Sequence, residues 1–253
     1  VKISIISDVH VKHEDDQAMH LLLSFLRNPD VESSDAIFLL GDIFDLMIGP
    51  HSQYFSRFTS YFQEVKKLLE MNKKIYYIEG NHDFHIQKLY KKFFDVHKNL
   101  NKENFKMASE FTILDQGKRI YLSHGDNIEI ENFNYRLFKG FVTSPPLSYY
   151  ANNLMPYFLI TLVGEKSSAA SRKRNNARYS KESDLAPVKD KFRRSVELFN
   201  KKAPHEIFVC GHSHVKDYYI SDKGFEYINN GYAQHSKTYI SIENGHVGFK
   251  EIF

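Results

Sequence analysis

Five short apolar runs in this chain each end in a cluster of Gly, Asp, Asn or His, and this recurrence constrains the fold more than any other feature. The run from Lys2 ends in Asp8-Val9-His10, and Asp35 to Leu40 ends in Gly41-Asp42. Lys74 to Glu79 ends in Gly80-Asn81-His82-Asp83, Arg119 to Ser123 in His124-Gly125-Asp126, and Glu206 to Cys210 in Gly211-His212-Ser213-His214. Short apolar runs closed by turn-forming residues read as buried strands. Between the first three lie two helical segments. From Asp15 to Asn28, Met19, Leu22, Leu23 and Leu26 share one face and Pro29 stops the helix; from Ser52 to Met71, Phe55, Phe58, Phe62, Val65 and Leu69 fall in register. The alternation predicts an α/β domain with strands buried on both faces. A helix is expected from Phe84 to Asp95, then a hairpin about Gln116-Gly117, and final strands that turn at Asn244-Gly245.

In an open α/β sheet, ligands bind outside the carboxyl ends of the strands. Clusters at those ends therefore converge in space although they span two hundred residues of chain. Their chemistry agrees. Asp8, His10, Asp42, Asn81, His124, His212 and His214 supply oxygen and imidazole donors with no thiolate, a mix that suits Mn²⁺, Fe or Zn²⁺ and not a cysteine-type structural zinc site. Seven donors are too many for one transition metal and fit two ions with one carboxylate shared. Two ions ~3.5–4 Å apart can activate a water and clamp the oxygens of an in-line phosphoryl displacement. Each glycine lets the backbone turn sharply and approach the ions closely. Taken singly these signals are weak, since a lone Gly-Asp is only a turn and a lone histidine is more often structural. His13, His20, His51, His85, His97, His205, His235 and His246 are read as structural or exposed.

Composition narrows the class. The 253 residues are 42% hydrophobic and 26% charged, so the chain can bury a sizeable core and is not disordered. A single cysteine, Cys210, excludes an intramolecular disulfide framework and is compatible with a reducing compartment. No apolar run reaches the ~18 residues of a membrane span, and the opening Val1 to Ile6 reads as a strand and not as a secretory signal. Net charge is +3, but the stretch from Lys166 to Arg194 carries a local balance of +7 and leaves −4 for the rest. Such a stretch suits phosphate, anionic lipid or nucleic acid, or is simply a solvated helix face. It lies within residues 131–202, which contain no convincing strand and read as an inserted helical cap; residues 1–130 and 203–253 form the core.

The order D-x-H, G-D, G-N-H-[DE], H and G-H-x-H, unbroken here, resembles the calcineurin-like metallophosphoesterase superfamily over the whole chain outside the insertion. The resemblance implies a four-layer αββα sandwich with two central mixed sheets. It also implies that one cation takes Asp8, His10, Asp42 and His214, and the other Asp42, Asn81, His124 and His212, with Asp42 bridging. His82 is then the histidine outside the ligand set that approaches the scissile phosphate, and Asn81 helps position it. The cofactor expected is a pair of divalent ions, Mn²⁺ first, with Fe and Zn²⁺ as alternatives.

Within the superfamily, the insertion is similar to that of the UDP-2,3-diacylglucosamine diphosphatases of lipid A biosynthesis. The resemblance rests on Gly41 to Gly49, on Tyr135-Arg136 after the His124 cluster, and on a Pro-containing apolar helix (Leu154, Pro156, Phe158, Leu159) that leads into Ser167 to Arg178. It implies hydrolysis of the diphosphate to UMP and a lipid monosaccharide 1-phosphate. The partners expected are a lipid-linked nucleotide sugar and an anionic membrane surface, with no nucleic acid and no obligate protein partner. The enzyme would be cytoplasmic and peripheral at the inner face of a bacterial membrane. Leu147, Leu154, Phe158, Leu159 and Leu162 can line an acyl groove, and Lys166, Arg172, Lys173 and Arg174 can neutralise the diphosphate, with Tyr135 on the nucleotide sugar. Two positions depart from the group: His82 stands where many members carry Arg, and Asn132 where some carry an acidic residue. The alternatives are a soluble metal-dependent phosphodiesterase acting on nucleotides or nucleic acid, and a non-catalytic scaffold whose insertion binds a membrane or a partner.

Overall fold

The structure is a computed structural model that describes residues 1–129, 140, 144–162 and 185–252. Thirteen strands appear among them: β1 (Lys2–Ile6), β2 (Ala36–Leu40), β3 (Met47–Ile48), β4 (Lys74–Ile78), β5 (Asp83–Phe84), β6 (Phe105–Ala108), β7 (Glu110–Asp115), β8 (Lys118–Ser123), β9 (Ile207–Cys210), β10 (Asp217–Ile220), β11 (Glu226–Asn229), β12 (Thr238–Glu243) and β13 (His246–Glu251). They form a six-stranded sheet in the order β13-β12-β1-β2-β4-β6, a five-stranded sheet in the order β10-β11-β9-β8-β7, and the small pair β3-β5. Both large sheets are mixed. In the first, β1, β2, β4 and β6 run parallel, while β12 pairs antiparallel with both β1 and β13; in the second, β8, β9 and β11 run parallel.

Alternation of side chains along each strand builds four layers. On β2, Ile37 and Leu39 pack with the helices Gln17–Leu26, Thr59–Glu70 and Gln87–Val96, through Met19, Leu22, Phe62, Val65, Leu89 and Phe93. Phe38 and Leu40 point the other way and meet Ile120, Leu122, Ile207, Val209 and Ile228 of the second sheet. The outward side chains of that sheet, Tyr121, Phe208 and Tyr227, bury Phe192 and Val196 of the helix Leu185–Lys202. The layers are thus helix, sheet, sheet, helix, the αββα arrangement expected. The fourth layer comes from the C-terminal end of the stretch read as the cap.

Most local expectations hold to within a residue or two. Asp16 caps the first helix by accepting from the backbone N–H of Met19 at 2.6 Å. Both hairpin pairs, Gln116-Gly117 and Asn244-Gly245, have positive φ at each position, as a two-residue turn between twisted strands requires. The long helix expected from Ser52 to Met71 is instead two, Gln53–Arg57 and Thr59–Glu70, kinked at Phe58 with φ −131° and ψ 48°. Phe58 is fully buried and its ring lies 4.4 Å from that of Phe44, so core packing overrides helical periodicity there.

Phe38 is the aromatic centre of the inter-sheet layer. It is 1% exposed, stacks on Tyr76 at 4.5 Å and meets Phe111 edge-on at 5.7 Å. Replacing it with Ala removes contacts on both sheets and leaves a cavity, so Phe38→Ala should lower unfolding stability by ~3–5 kcal/mol in a urea titration.

Candidate metal centre

The five clusters meet at one rim. Asp8, Asp42 and Asn81 follow the carboxyl ends of β1, β2 and β4, and His124 and His212 follow those of β8 and β9. The two sheets therefore contribute from the same end. Backbone bonds knit the loops together: the Asp8 N–H donates to Gly41 O at 3.1 Å, His10 N–H to Asp42 O at 3.0 Å, and Gly211 N–H to His124 O at 2.8 Å.

Two donor sets share one carboxylate. Asp8, His10, Asp42 and His214 present ligand atoms that all lie within 4.8 Å of one another. Nε2 of His214 is 3.1 Å from Nε2 of His10 and 3.4 Å from Oδ1 of Asp8. On the other side, Oδ1 of Asn81 lies 3.2 Å from Nε2 of His124 and 2.9 Å from Nδ1 of His212. Oδ2 of Asp42 stands between the sets, 3.7 Å from Nε2 of His10 and 3.6 Å from Nε2 of His124. Asp8, His10, Asp42 and His124 are buried and form a floor; Asn81, His82, His212 and His214 are half-buried and form a rim. The cluster is therefore open on one side.

The backbone is bent to make this possible. Asp8, His10, Asp42, His212 and His214 all lie in the left-handed region, with φ between 51° and 68°. Such conformations are strained for non-glycine residues and persist where the surroundings impose them. Two glycines act through space and not through φ, which refines the expectation that each one turns the chain. A Cβ on Gly80 would sit 2.2 Å from Oδ1 of Asp42, and one on Gly211 2.3 Å from Oδ2 of Asp8. Both loops reach the carboxylates only because no side chain intervenes.

Most of the histidines have an outer partner that fixes which nitrogen faces inward. Nδ1 of His124 donates to Leu40 O at 3.1 Å, leaving Nε2 toward Asn81 and Asp42. Nδ1 of His10 faces Oδ1 of Asp45 at 3.7 Å. His82 donates from Nδ1 to Asp45 O at 2.9 Å, and its backbone N–H binds Oδ1 of Asp42 at 2.9 Å. The ring of His214 stacks on Tyr232 with centroids 5.6 Å apart.

The electrostatics fit a cation pair. Burial, with the Asp42 carboxylate beside it, raises Asp8 well above the ordinary carboxylate range. Burial works the same way on Asp42, but the imidazoles of His124, His82 and His10 outweigh it and hold Asp42 below that range. Burial lowers His124, and burial together with His10 lowers His214 further. Neutral imidazoles offer lone pairs, and two crowded carboxylates repel; a divalent cation among them satisfies both. The donor chemistry and the cradles at Gly80 and Gly211 thus suit the pair of ions expected.

Several contributors were not assigned from sequence. Asp83 accepts five hydrogen bonds: from the N–H groups of Asp42, Ile43, Phe44 and Gly80, and from the Tyr77 hydroxyl at 2.6 Å. Burial and the nearby Asp42 push its carboxyl up to about 7. Asp45, Glu129 and Tyr232 also lie against the histidines. Asp83 and Asp45 stood within the motif segments, whereas Glu129 and Tyr232 carried no sequence signal. The expected substrate contacts Asn132, Tyr135, Lys166 and Arg172, together with Lys173 and Arg174, lie outside the described residues. Part of the basic stretch is engaged internally: Lys191 pairs with Glu129, and Arg193 binds both oxygens of Asp217 at 2.6 and 2.8 Å.

The profile of the calcineurin-like phosphoesterase family matches residues 1–216 of this chain. Among curated relatives, the UDP-2,3-diacylglucosamine hydrolase of Psychromonas ingrahamii is 26% identical over 242 residues, covering 94% of this chain and 92% of its own length. The protein of the same name from Neisseria gonorrhoeae is 25% identical, covering 90% of each chain. Among solved structures, an archaeal phosphodiesterase aligns over 99% of both chains at 12% identity with a TM-score of 0.47. The family match takes in strands of both sheets and every one of the five clusters, so the chain belongs to the calcineurin-like phosphoesterases and is a metal-dependent phosphoesterase.

Proposed function

We propose that this enzyme hydrolyses the diphosphate of UDP-2,3-diacylglucosamine to UMP and 2,3-diacylglucosamine 1-phosphate. The observation that carries the reading is the extent of the match to proteins named for that activity. An alignment of 242 residues cannot be made on the core alone and must include most of residues 131–202, the part that distinguishes one phosphoesterase group from another.

Asp8, His10, Asp42 and His214 would hold one cation, and Asp42, Asn81, His124 and His212 the other. When bound, the pair supplies an activated nucleophile and neutralises charge that develops on the phosphoryl oxygens. The chain's own groups do the rest. The Asp45 carbonyl holds Nδ1 of His82, so Nε2 is left to meet the substrate, where it donates to the leaving oxygen or stabilises charge in the transition state. Asn81 turns Oδ1 toward His124 and His212, which leaves its amide hydrogens for a phosphate oxygen. Asn132, Tyr135, Lys166 and Arg172 would bind the nucleotide sugar and its diphosphate.

Exposed apolar side chains in the insertion support a lipid substrate. Tyr149, Leu154, Phe158 and Leu162 are between 55% and 64% exposed. Contrary to expectation, Leu154 and Pro156 do not share one helix with Phe158, since Leu154 caps the helix Pro145–Asn153 and a new helix begins at residue 157. Exposed apolar groups of this kind, followed in sequence by a basic segment, suit acyl chains and an anionic membrane surface at the cytoplasmic face. Among the described residues no helix is long and apolar enough to cross a membrane, so contact would be peripheral. A second reading, a soluble phosphodiesterase, is favoured by His82 itself, which stands where many of the lipid-directed enzymes carry Arg.

Two measurements test this reading. Detergent-dispersed UDP-2,3-diacylglucosamine should yield UMP in the presence of Mn²⁺; hydrolysis of bis(p-nitrophenyl) phosphate without any release of UMP from the lipid substrate would establish the phosphodiesterase instead. His82→Ala should cut kcat by roughly 10²–10⁴ while metal content measured by elemental analysis stays at the wild-type level. Loss of metal in parallel with kcat would make His82 a ligand.

A further inference from the structure

One buried carboxylate faces the centre from outside the family motifs. Glu129 lies in the loop after His124, where its N–H donates to Gly125 O at 3.3 Å, and it is 6% exposed. Its Oε2 is 3.3 Å from Nε2 of His212, and its Oε1 accepts from Lys191. Lys191 sits on the helix Leu185–Lys202, which is held down by Phe192 and Val196 in the outer core and by Arg193 on Asp217. The other ring nitrogen of His212, Nδ1, is the one 2.9 Å from Oδ1 of Asn81. The imidazole is thus held between an outer carboxylate and the inner donor set.

We propose that Glu129 is a positioning residue for the cation held by Asp42, Asn81, His124 and His212, and that Lys191 couples it to the outer helix layer. A neutral imidazole carries one N–H and one lone pair, and the hydrogen bond at one nitrogen decides which faces the metal. Glu129 takes the Nε2–H of His212, which leaves the Nδ1 lone pair directed at Asn81 and its neighbours. Lys191 holds the opposite oxygen of Glu129 and so fixes the angle at which the carboxylate meets the ring. Phe192, from the same helix, lies 6.1 Å from the His212 ring and limits its rotation. The outer helix therefore reaches the donor set that contains His212, while Asp45 stands behind His10 in the other set.

The inference rests on the two-cation reading of the centre and is independent of the substrate. Mn²⁺ titration followed by electron paramagnetic resonance resolves the two binding steps and the coupled signal of a filled pair. Wild-type protein should take two ions. Glu129→Ala should weaken one step by about 10–100-fold and leave the other unchanged. Glu129→Gln, whose amide oxygen can still accept from His212, should recover part of that loss, and Lys191→Met should weaken the same step by less. Nitrogen-15 spectra of the Zn²⁺-loaded protein should place the His212 proton on Nε2 in wild type, and Glu129→Ala should shift that nitrogen's resonance toward a solvent-bonded imidazole while Glu129→Gln shifts it less. If Glu129→Ala fails to fold by circular dichroism, Glu129→Gln and Lys191→Met carry the same test at the same step. Equal weakening of both steps, or no change in either, in folded variants of a protein that binds two ions would overturn the role of Glu129 alone. A wild type that binds a single Mn²⁺ would overturn the two-cation reading on which it stands.

Discussion

The Asp83 carboxylate, through the five hydrogen bonds it accepts, joins the loop after β2 to the loop after β4. Without it, four backbone N–H groups and a buried tyrosine hydroxyl would lose their acceptor, at a cost of roughly 1–3 kcal/mol each. Its placement explains why Asp42 and Asn81, 39 residues apart in the chain, can meet with the precision a cation site needs. It also explains the glycines. Gly80 donates to Asp83 and passes so close to Asp42 that no side chain can intervene.

The same rim stores strain and unfavourable charge. Five of the seven donor residues occupy left-handed backbone conformations, at a cost on the order of 1 kcal/mol or more each. Two buried carboxylates crowd together, and one of them, Asp8, resists ionisation. These costs are offset by the packing of the two sheets, whose inward faces are lined by Ile, Val, Leu and Phe on strands that end at the site. A cation pair bound there would relieve the repulsion between Asp8 and Asp42 and use the neutral imidazoles of His124 and His214. The fold would thus hold these groups in an arrangement that a bound cation makes favourable.

Much of this was legible in the amino-acid order. Strand periodicity gave β1, β2, β4, β8 and β9, and the polar clusters that follow them are the groups that meet. The edge strands β6 and β10 are not legible because Phe105 to Ala108 and Asp217 to Ile220 lack the continuous apolar run that marks the equally short β9. Asp83 was visible within its motif, but its function is to accept backbone hydrogen bonds, which leave no trace in residue type. Glu129 and Tyr232 act on histidines far away in sequence, His212 and His214, and only tertiary structure brings them together. The kink at Phe58 was hidden for a related reason, since its side chain packs against Phe44 whether or not the helix is straight.

The central claim is that Asp42 is shared between two cations. The direct measurement is an anomalous difference map from crystals grown with Mn²⁺. The account requires two peaks ~3.5–4 Å apart, both touching Asp42, with Asp8, His10 and His214 around one and Asn81, His124 and His212 around the other. A single peak, or two peaks that do not share Asp42, would contradict it.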